Sequence, residues 1–165
     1  MEYPALFERE GKFLLAEFLD CPGCQTCVED GGDIEAEAKD ALSGWLEAHL
    51  GRNLIPPKPS QVRRNGRNVI GVPVDPSLAI RLQLRWARAE ESLTQEQLAK
   101  KLGMTQQQLA RLESGESNPT VRTIARVAQG LGRRVVMTLE KSAEASSGSH
   151  ITRTVRRPQR SRVRI

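Results

Sequence analysis

Three groups of residues in this sequence have the types and spacing to do chemistry. The first is Cys21, Cys24 and Cys27, spaced CxxCxxC within CPGCQTC. Thiols suit zinc, but a zinc site takes four ligands, commonly as two separated pairs. The chain has no fourth cysteine, and His49 and His150 are distant in sequence. The expectation is a Pro-Gly turn that happens to carry thiols, with no metal bound. The second group is Asp20, Asp30, Asp33 and Asp40. A metal-dependent nuclease needs several carboxylates converging on one ion. These four fall in a loop or on the polar side of a helix, where a solvated acidic face is the simpler reading. Neither histidine neighbours a Ser or Cys in a nucleophile pattern. His49 sits at a helix end, where the dipole stabilises it. No catalytic residue, no cofactor and no enzymatic activity are expected.

The third group is rich in amides. Gln106, Gln107, Gln108 and Arg111 lie within MTQQQLARLESG. Thr94 and Gln97 have capping-box spacing and start one helix. Gly103 permits the left-handed backbone of a tight turn. Thr105 and Gln108 then repeat the capping device at the start of a second helix. Leu98, Ala99 and Leu102 form the inner face of the first, Leu109 and Leu112 that of the second. That leaves Gln106, Gln107 and Arg111 on the outer, N-terminal part of the second helix. A DNA major groove, about 12 Å wide, admits one helix whose N-terminal residues reach the base edges. Gln can pair with adenine, and Arg with guanine, through two hydrogen bonds each. Gln106, Gln107, Gln108 and Arg111 are therefore the expected base readers, with Gln108 shared between reading and capping. Gln95, Thr105, Asn118, Thr120 and Arg122 are the expected phosphate-positioning residues. Ile80, Leu84 and Ala87 from a preceding helix, and Val121, Ile124, Ala125, Ala128 and Leu131 from a following one, are expected to close the core.

Other elements must hold these groups in place. Tyr3 to Glu8 and Lys12 to Leu19 read as strands joined at Glu10-Gly11, and Gln25 to Val28 as a third short one. Asp33 is a helix N-cap, followed by an apolar stripe of Ile34, Ala38, Ala41, Leu42, Trp45 and Leu46 that stops at Gly51. Pro56, Pro57 and Pro59 exclude regular structure, and Arg63, Arg64 and Arg67 follow. Val69 to Val74 reads as a strand, placed at an edge because Pro73 cannot donate to a ladder. Asp75-Pro76 opens a helix. Arg133 to Leu139 reads as a last strand, Ser142 to Ser149 as a flexible linker, and residues 151–165 as a disordered tail with six arginines and no acid.

Charge divides the same way. Residues 1–50 hold 12 acids and 3 bases, and the rest of the chain 8 acids and 22 bases, within a net +5. The basic part suits nucleic acid, and the acidic part suits a basic protein. No apolar run approaches the roughly 20 residues that span a bilayer. Met1 to Glu10 lacks the pattern of a signal peptide. An odd number of cysteines argues against a secreted disulfide scaffold. The cytoplasm is the expected compartment.

Residues 93–132, LTQEQLAKKLGMTQQQLARLESGESNPTVRTIARVAQGLG, resemble the Xre/Cro-type repressor helix-turn-helix along their whole length. The front half resembles the HicB family of antitoxins. The matching features are the hairpin at 3–19, DCPGC at 20–24, Gly32-Asp33, AKDALSGWLEAHL at 38–50, IPPKPS at 55–60 and VIGVPVD at 69–75. Together they imply an α+β protein: a small, partial ribonuclease-H-like sheet-plus-helix domain, then an all-α, lambda-repressor-like helix-turn-helix domain. The expected divisions are a toxin-binding domain at 1–60, a linker and edge strand at 61–77, the DNA-binding domain at 78–135, and a strand, linker and basic tail at 136–165. The resemblance implies three partners: operator DNA, a HicA-like ribonuclease toxin, and a second copy of the chain as dimer or dimer of dimers. No membrane partner is expected. A stand-alone Xre-family regulator with a sensing or dimerising front half is the alternative. The chain departs from the HicB pattern after Pro-Gly-Cys, where Gln25 to Asp30 precede Gly31 and imply a longer loop. No toxin-contacting residue is assigned.

Overall fold

The structure, a computed structural model, describes residues 1–61 and 68–138. Arg63, Arg64, Arg67, Leu139, His150, the Ser142–Ser149 stretch and the basic tail lie outside the described residues. The chain divides into two compact units. The sheet unit comprises Glu2–Leu42 and the described residues of 58–73. The helical unit comprises Met1, Ser43–Pro57 and the described chain from Val74.

Four strands build the sheet unit: β1 (Glu2–Glu10), β2 (Phe13–Phe18), β3 (Gln25–Glu29) and β4 (Val69–Pro73), ordered β3-β2-β1-β4. All pairs are antiparallel. The first hairpin turns at Gly11-Lys12, one residue later than the sequence suggests, because Glu10 pairs with Phe13 and Gly11 takes the positive φ of 60°. Alternation sets the faces. Tyr3, Ala5 and Phe7 from β1 and Leu14, Ala16 and Phe18 from β2 are buried. On the opposite face Glu17 stands beside Leu6, Glu8 beside Leu15, and Glu10 beside Phe13. β4 lies at the edge and ends at Pro73. The short strand read at Gln25 to Val28 forms β3, so most of the stretch that departs from the HicB pattern is strand and not longer loop. Leu14↔Val28 and Ala16↔Thr26 put those side chains with the core and turn Cys27 outward.

Helix α1 (Ile34–Gly51) starts where Asp33 Oδ1 accepts from the Glu35 and Ala36 N–H groups, each at 3.1 Å. Its buried positions are Ile34, Ala38, Leu42, Leu46 and Leu50, one stripe at every fourth residue. Ala41 and Trp45, placed in the core from sequence, are half-buried. Trp45 instead stacks on His49 with ring centroids 3.7 Å apart, and the His49 ring contacts the Trp45 carbonyl at 2.8 Å.

The helical unit adds α2 (Pro76–Glu90), α3 (Gln95–Leu102), α4 (Gln106–Ser114) and α5 (Val121–Gly130). Asp75 caps α2 with Pro76 at its first position. Leu84, Leu98, Leu109, Leu112, Val127, Ala128 and Leu131 are the heart of its core. Val127 takes the place expected for Ala125, since residues 124, 127, 128 and 131 form the inward stripe of α5. Val121, in the first turn, is 54% exposed and does not join the core. Arg133 to Thr138 form no strand, because no ladder partner faces them among the described residues. Among the described residues no helix is long and apolar enough to cross a membrane.

Candidate nucleic-acid interface

Two capping boxes fix where α3 and α4 begin. Thr94 Oγ1 accepts from the Gln97 N–H at 3.1 Å, and Gln97 Oε1 accepts from the Thr94 N–H at 2.8 Å. Thr105 and Gln108 repeat this at 3.1 and 2.9 Å. Gly103 closes α3 with φ 62° and ψ 38°, the left-handed turn between the two helices. Each cap is worth about 1 kcal/mol.

This frame leaves Gln106, Gln107 and Arg111 exposed on one side of α4. Gln108 is also exposed, but its carbonyl oxygen is committed to the Thr105 cap. Thr105 and Thr120 serve as N-caps, the latter through its Thr123 N–H contact at 3.2 Å. Asn118 and Arg122 are exposed around the start of α5. Gln95 is placed differently: its amide nitrogen donates to Glu113 Oε2 at 2.9 Å, so part of its donor capacity is used internally.

Sequence reasoning missed the cluster that receives Gln95. Glu113 is 1% exposed and Arg85 2%. Arg88 grips the Glu113 carboxylate with both Nε and Nη2, at 2.7 and 2.8 Å. Arg85 Nε stands 3.4 Å from the same carboxylate. Its Nη1 donates to the carbonyls of Leu50 and Leu54 at 3.1 and 3.0 Å. Trp86 Nε1 donates to Pro56 O at 2.7 Å. Burial pushes the Glu113 carboxyl up, but the hydrogen bonds from Arg88 and Gln95 and the charges of both arginines hold it below the ordinary range. Burial pulls the Arg85 guanidinium down, opposed by Glu113. The signal was present in the sequence: Glu113 directly follows Leu112 and lies four residues after Leu109, so it sits at the border of an apolar stripe. A charge at such a position needs a buried partner.

The other chemical groups do not converge. Cys21 and Cys24 are buried in the Pro-Gly turn while Cys27 is exposed on β3. Burial, with Cys24 and Asp20 adding, pushes the Cys21 thiol up to about 12, and burial pushes Cys24 up to about 11. Asp20 accepts from the Ser60 N–H at 2.7 Å, Asp30 pairs with Arg9, and Asp33 caps α1. Among the described residues no three His, Cys, Asp or Glu side chains are grouped to hold a metal ion.

Known proteins match both halves of this description. A helix-turn-helix family model covers residues 84–136. A 54-residue stretch is 41% identical to an HTH-type transcriptional regulator of Methanothermobacter thermautotrophicus, covering 33% of this chain and 78% of that protein. Over 142 residues the chain is 27% identical to antitoxin HicB 1 of Photorhabdus laumondii, covering 85% of this chain and 88% of its relative. Over 141 residues it is 26% identical to antitoxin HicB of Escherichia coli K12, covering 84% and 99%. The chain belongs to the helix-turn-helix family, and along most of its length it is similar to HicB antitoxins. In this helix-turn-helix chain the family match begins at Leu84, inside α2. It therefore takes in Arg85, Arg88, both capping boxes and Glu113 along with the exposed amides.

Proposed function

We propose that the chain is the antitoxin of a toxin–antitoxin pair. Its sheet unit binds and neutralises a small, basic, RNA-cleaving toxin of the HicA type. Its helical unit represses its own operon by sequence-specific DNA binding. The observation that carries this reading is the union, in one chain, of an acidic sheet with a complete helix-turn-helix, in a length that HicB antitoxins match nearly end to end.

The physical chemistry supports each part. The open face of the sheet carries Glu8, Glu10, Glu17 and Glu29 around Leu6, Leu15 and Phe13. Such a face offers apolar area ringed by negative charge, which suits a basic protein and repels nucleic acid. In this reading the sheet and α1 are the partial ribonuclease-H-like fold, used for binding without catalysis. On the helical unit Gln106, Gln107 and Arg111 read bases while Asn118, Thr120 and Arg122 hold phosphate. A homodimer in the cytoplasm would place two such helices about one helical turn apart.

The test is to co-purify the chain with the product of the adjacent gene and measure RNA cleavage. Cleavage by that product alone, abolished at equimolar chain, is the expected result. Cleavage that continues unchanged with the chain present would leave a stand-alone regulator as the better account. Mg²⁺-dependent RNA cleavage by the chain alone would make it an enzyme and overturn the proposal.

A further inference from the structure

The terminal turn of α1 shares a cleft with the base-reading side of α4. Asn53, Gln95, Gln107 and Arg111 line it together with the buried Arg85, and Glu116 is the one carboxylate in its lining among the described residues; its volume is about 370 Å³. Four of the lining side chains have N–H donors, Gln95 already giving one to Glu113, and three of the four are expected DNA contacts from sequence alone. Asn53 is not, because it lies about 40 residues before the helix-turn-helix.

Asn53 is held in place. Its backbone is left-handed, with φ 57°, a conformation that Asn tolerates better than most side chains. Its N–H donates to Leu50 O at 3.0 Å. The carbonyls on either side of it in sequence, Leu50 and Leu54, both accept from Arg85. The same arginine faces Glu113, the carboxylate that holds Gln95. One buried ion pair, Arg85 with Glu113, therefore links the turn of α1 to the start of α3.

The electrostatics fit an anion. A helix C-terminus ordinarily repels phosphate through its unsatisfied carbonyls. Arg85 occupies two carbonyls at this end, and Arg85, Arg88 and Glu113 together carry a net charge of +1. Arg52, next to Asn53, is exposed and makes no ion pair among the described residues.

We propose that the terminal turn of α1 is part of the DNA interface, with the Asn53 side-chain amide donating to a backbone phosphate beside the bases that α4 reads. This rests on the DNA-binding reading above. A phosphate contact positions the protein and carries no sequence information.

The experiment measures binding of the full chain to two labelled duplexes: the promoter region upstream of its own gene, and a shuffled sequence of equal length. Asn53→Gly suits a left-handed residue and removes only the side chain. Asn53→Asp keeps the shape and sets a carboxylate against phosphate. Asn53→Gly should weaken binding about three- to fivefold and Asn53→Asp about tenfold, equally on both duplexes, with Tm at or near wild type. If the wild type binds and both variants match it, Asn53 is outside the interface and the proposal fails. Tighter binding by Asn53→Gly would mark the turn as an obstruction and overturn it too. A loss confined to the promoter duplex would make Asn53 a base reader and overturn the phosphate assignment. A wild-type chain that binds neither duplex overturns the DNA-binding reading itself.

Discussion

The sheet unit and the helical unit handle charge in opposite ways. In the sheet unit the acids stay outside. Lys12–Glu29 is an exposed pair at 2.9 Å, and Arg9–Asp30 is partly so. Surface pairs of this kind are worth between nothing and about 1 kcal/mol. Its interior is Tyr3, Phe7, Phe18 and aliphatic packing. In the helical unit a carboxylate and a guanidinium are almost wholly buried. A buried ion pair is no bargain for stability, since desolvation offsets its attraction. Its value here is geometric: Glu113 joins α2, α3 and α4 at one point, and Arg85 adds the end of α1. Charge buried in this chain marks where helices must be held at a set angle, and charge left outside marks where a partner can be met.

The largest expected effect breaks that contrast directly. Glu113→Ala would strand Arg85 and Arg88 without a counter-charge and should cost about 3–5 kcal/mol, read by thermal or urea unfolding. Glu29→Ala, in the exposed pair of the sheet unit, should cost less than about 1 kcal/mol. Equal effects would erase the distinction between the units.

A pH series sharpens it. The Glu113 carboxyl is lower folded than unfolded, so its stabilisation is present above the ordinary carboxylate range and is lost as pH falls through the folded value. Tyr3, Cys21 and Cys24 are shifted the other way by burial. Their stabilisation is present below the ordinary thiol and phenol values and is lost as pH rises, for the thiols through about 11 to 12. Acid should therefore loosen the helical unit first and alkali the sheet unit first. Both tryptophans, Trp45 and Trp86, lie in the helical unit, and the single tyrosine, Tyr3, lies in the sheet unit. Tryptophan fluorescence should respond to acid, and tyrosinate absorbance should rise late and steeply in alkali. A gradual rise near the ordinary tyrosine value would show that Tyr3 is not buried as described.

Much of this architecture was legible in the sequence, and the failures share a cause. Capping boxes, the Asp75-Pro76 helix start and the edge position of β4 are local rules, and each is visible in a few adjacent residues. Gln25 to Val28 reads as a third short strand, and the structure extends it by one residue to Glu29, an end that the surrounding Cys, Gly and Asp do not mark. Val121 and Ala125 read as core because a stripe in the sequence does not show where the core ends. Gln106, Gln107 and Arg111 could be named as exposed from helical periodicity alone. Arg85 and Asn53 could not, because their roles depend on the end of α1 meeting α2, across a separation of about 30 residues that no local pattern encodes.

The most direct test of the central claim, that α4 reads bases on a frame held by Glu113, is a comparison of Arg111→Ala and Arg122→Ala. Each would be titrated against the promoter duplex and a set with every base pair of the site changed in turn. Arg111→Ala should lose about 1–3 kcal/mol on the native duplex and become indifferent to one base position. Arg122→Ala should weaken all duplexes alike and shallow the salt dependence by about one unit of slope. A uniform loss from both substitutions, or none from Arg111→Ala, would contradict the account.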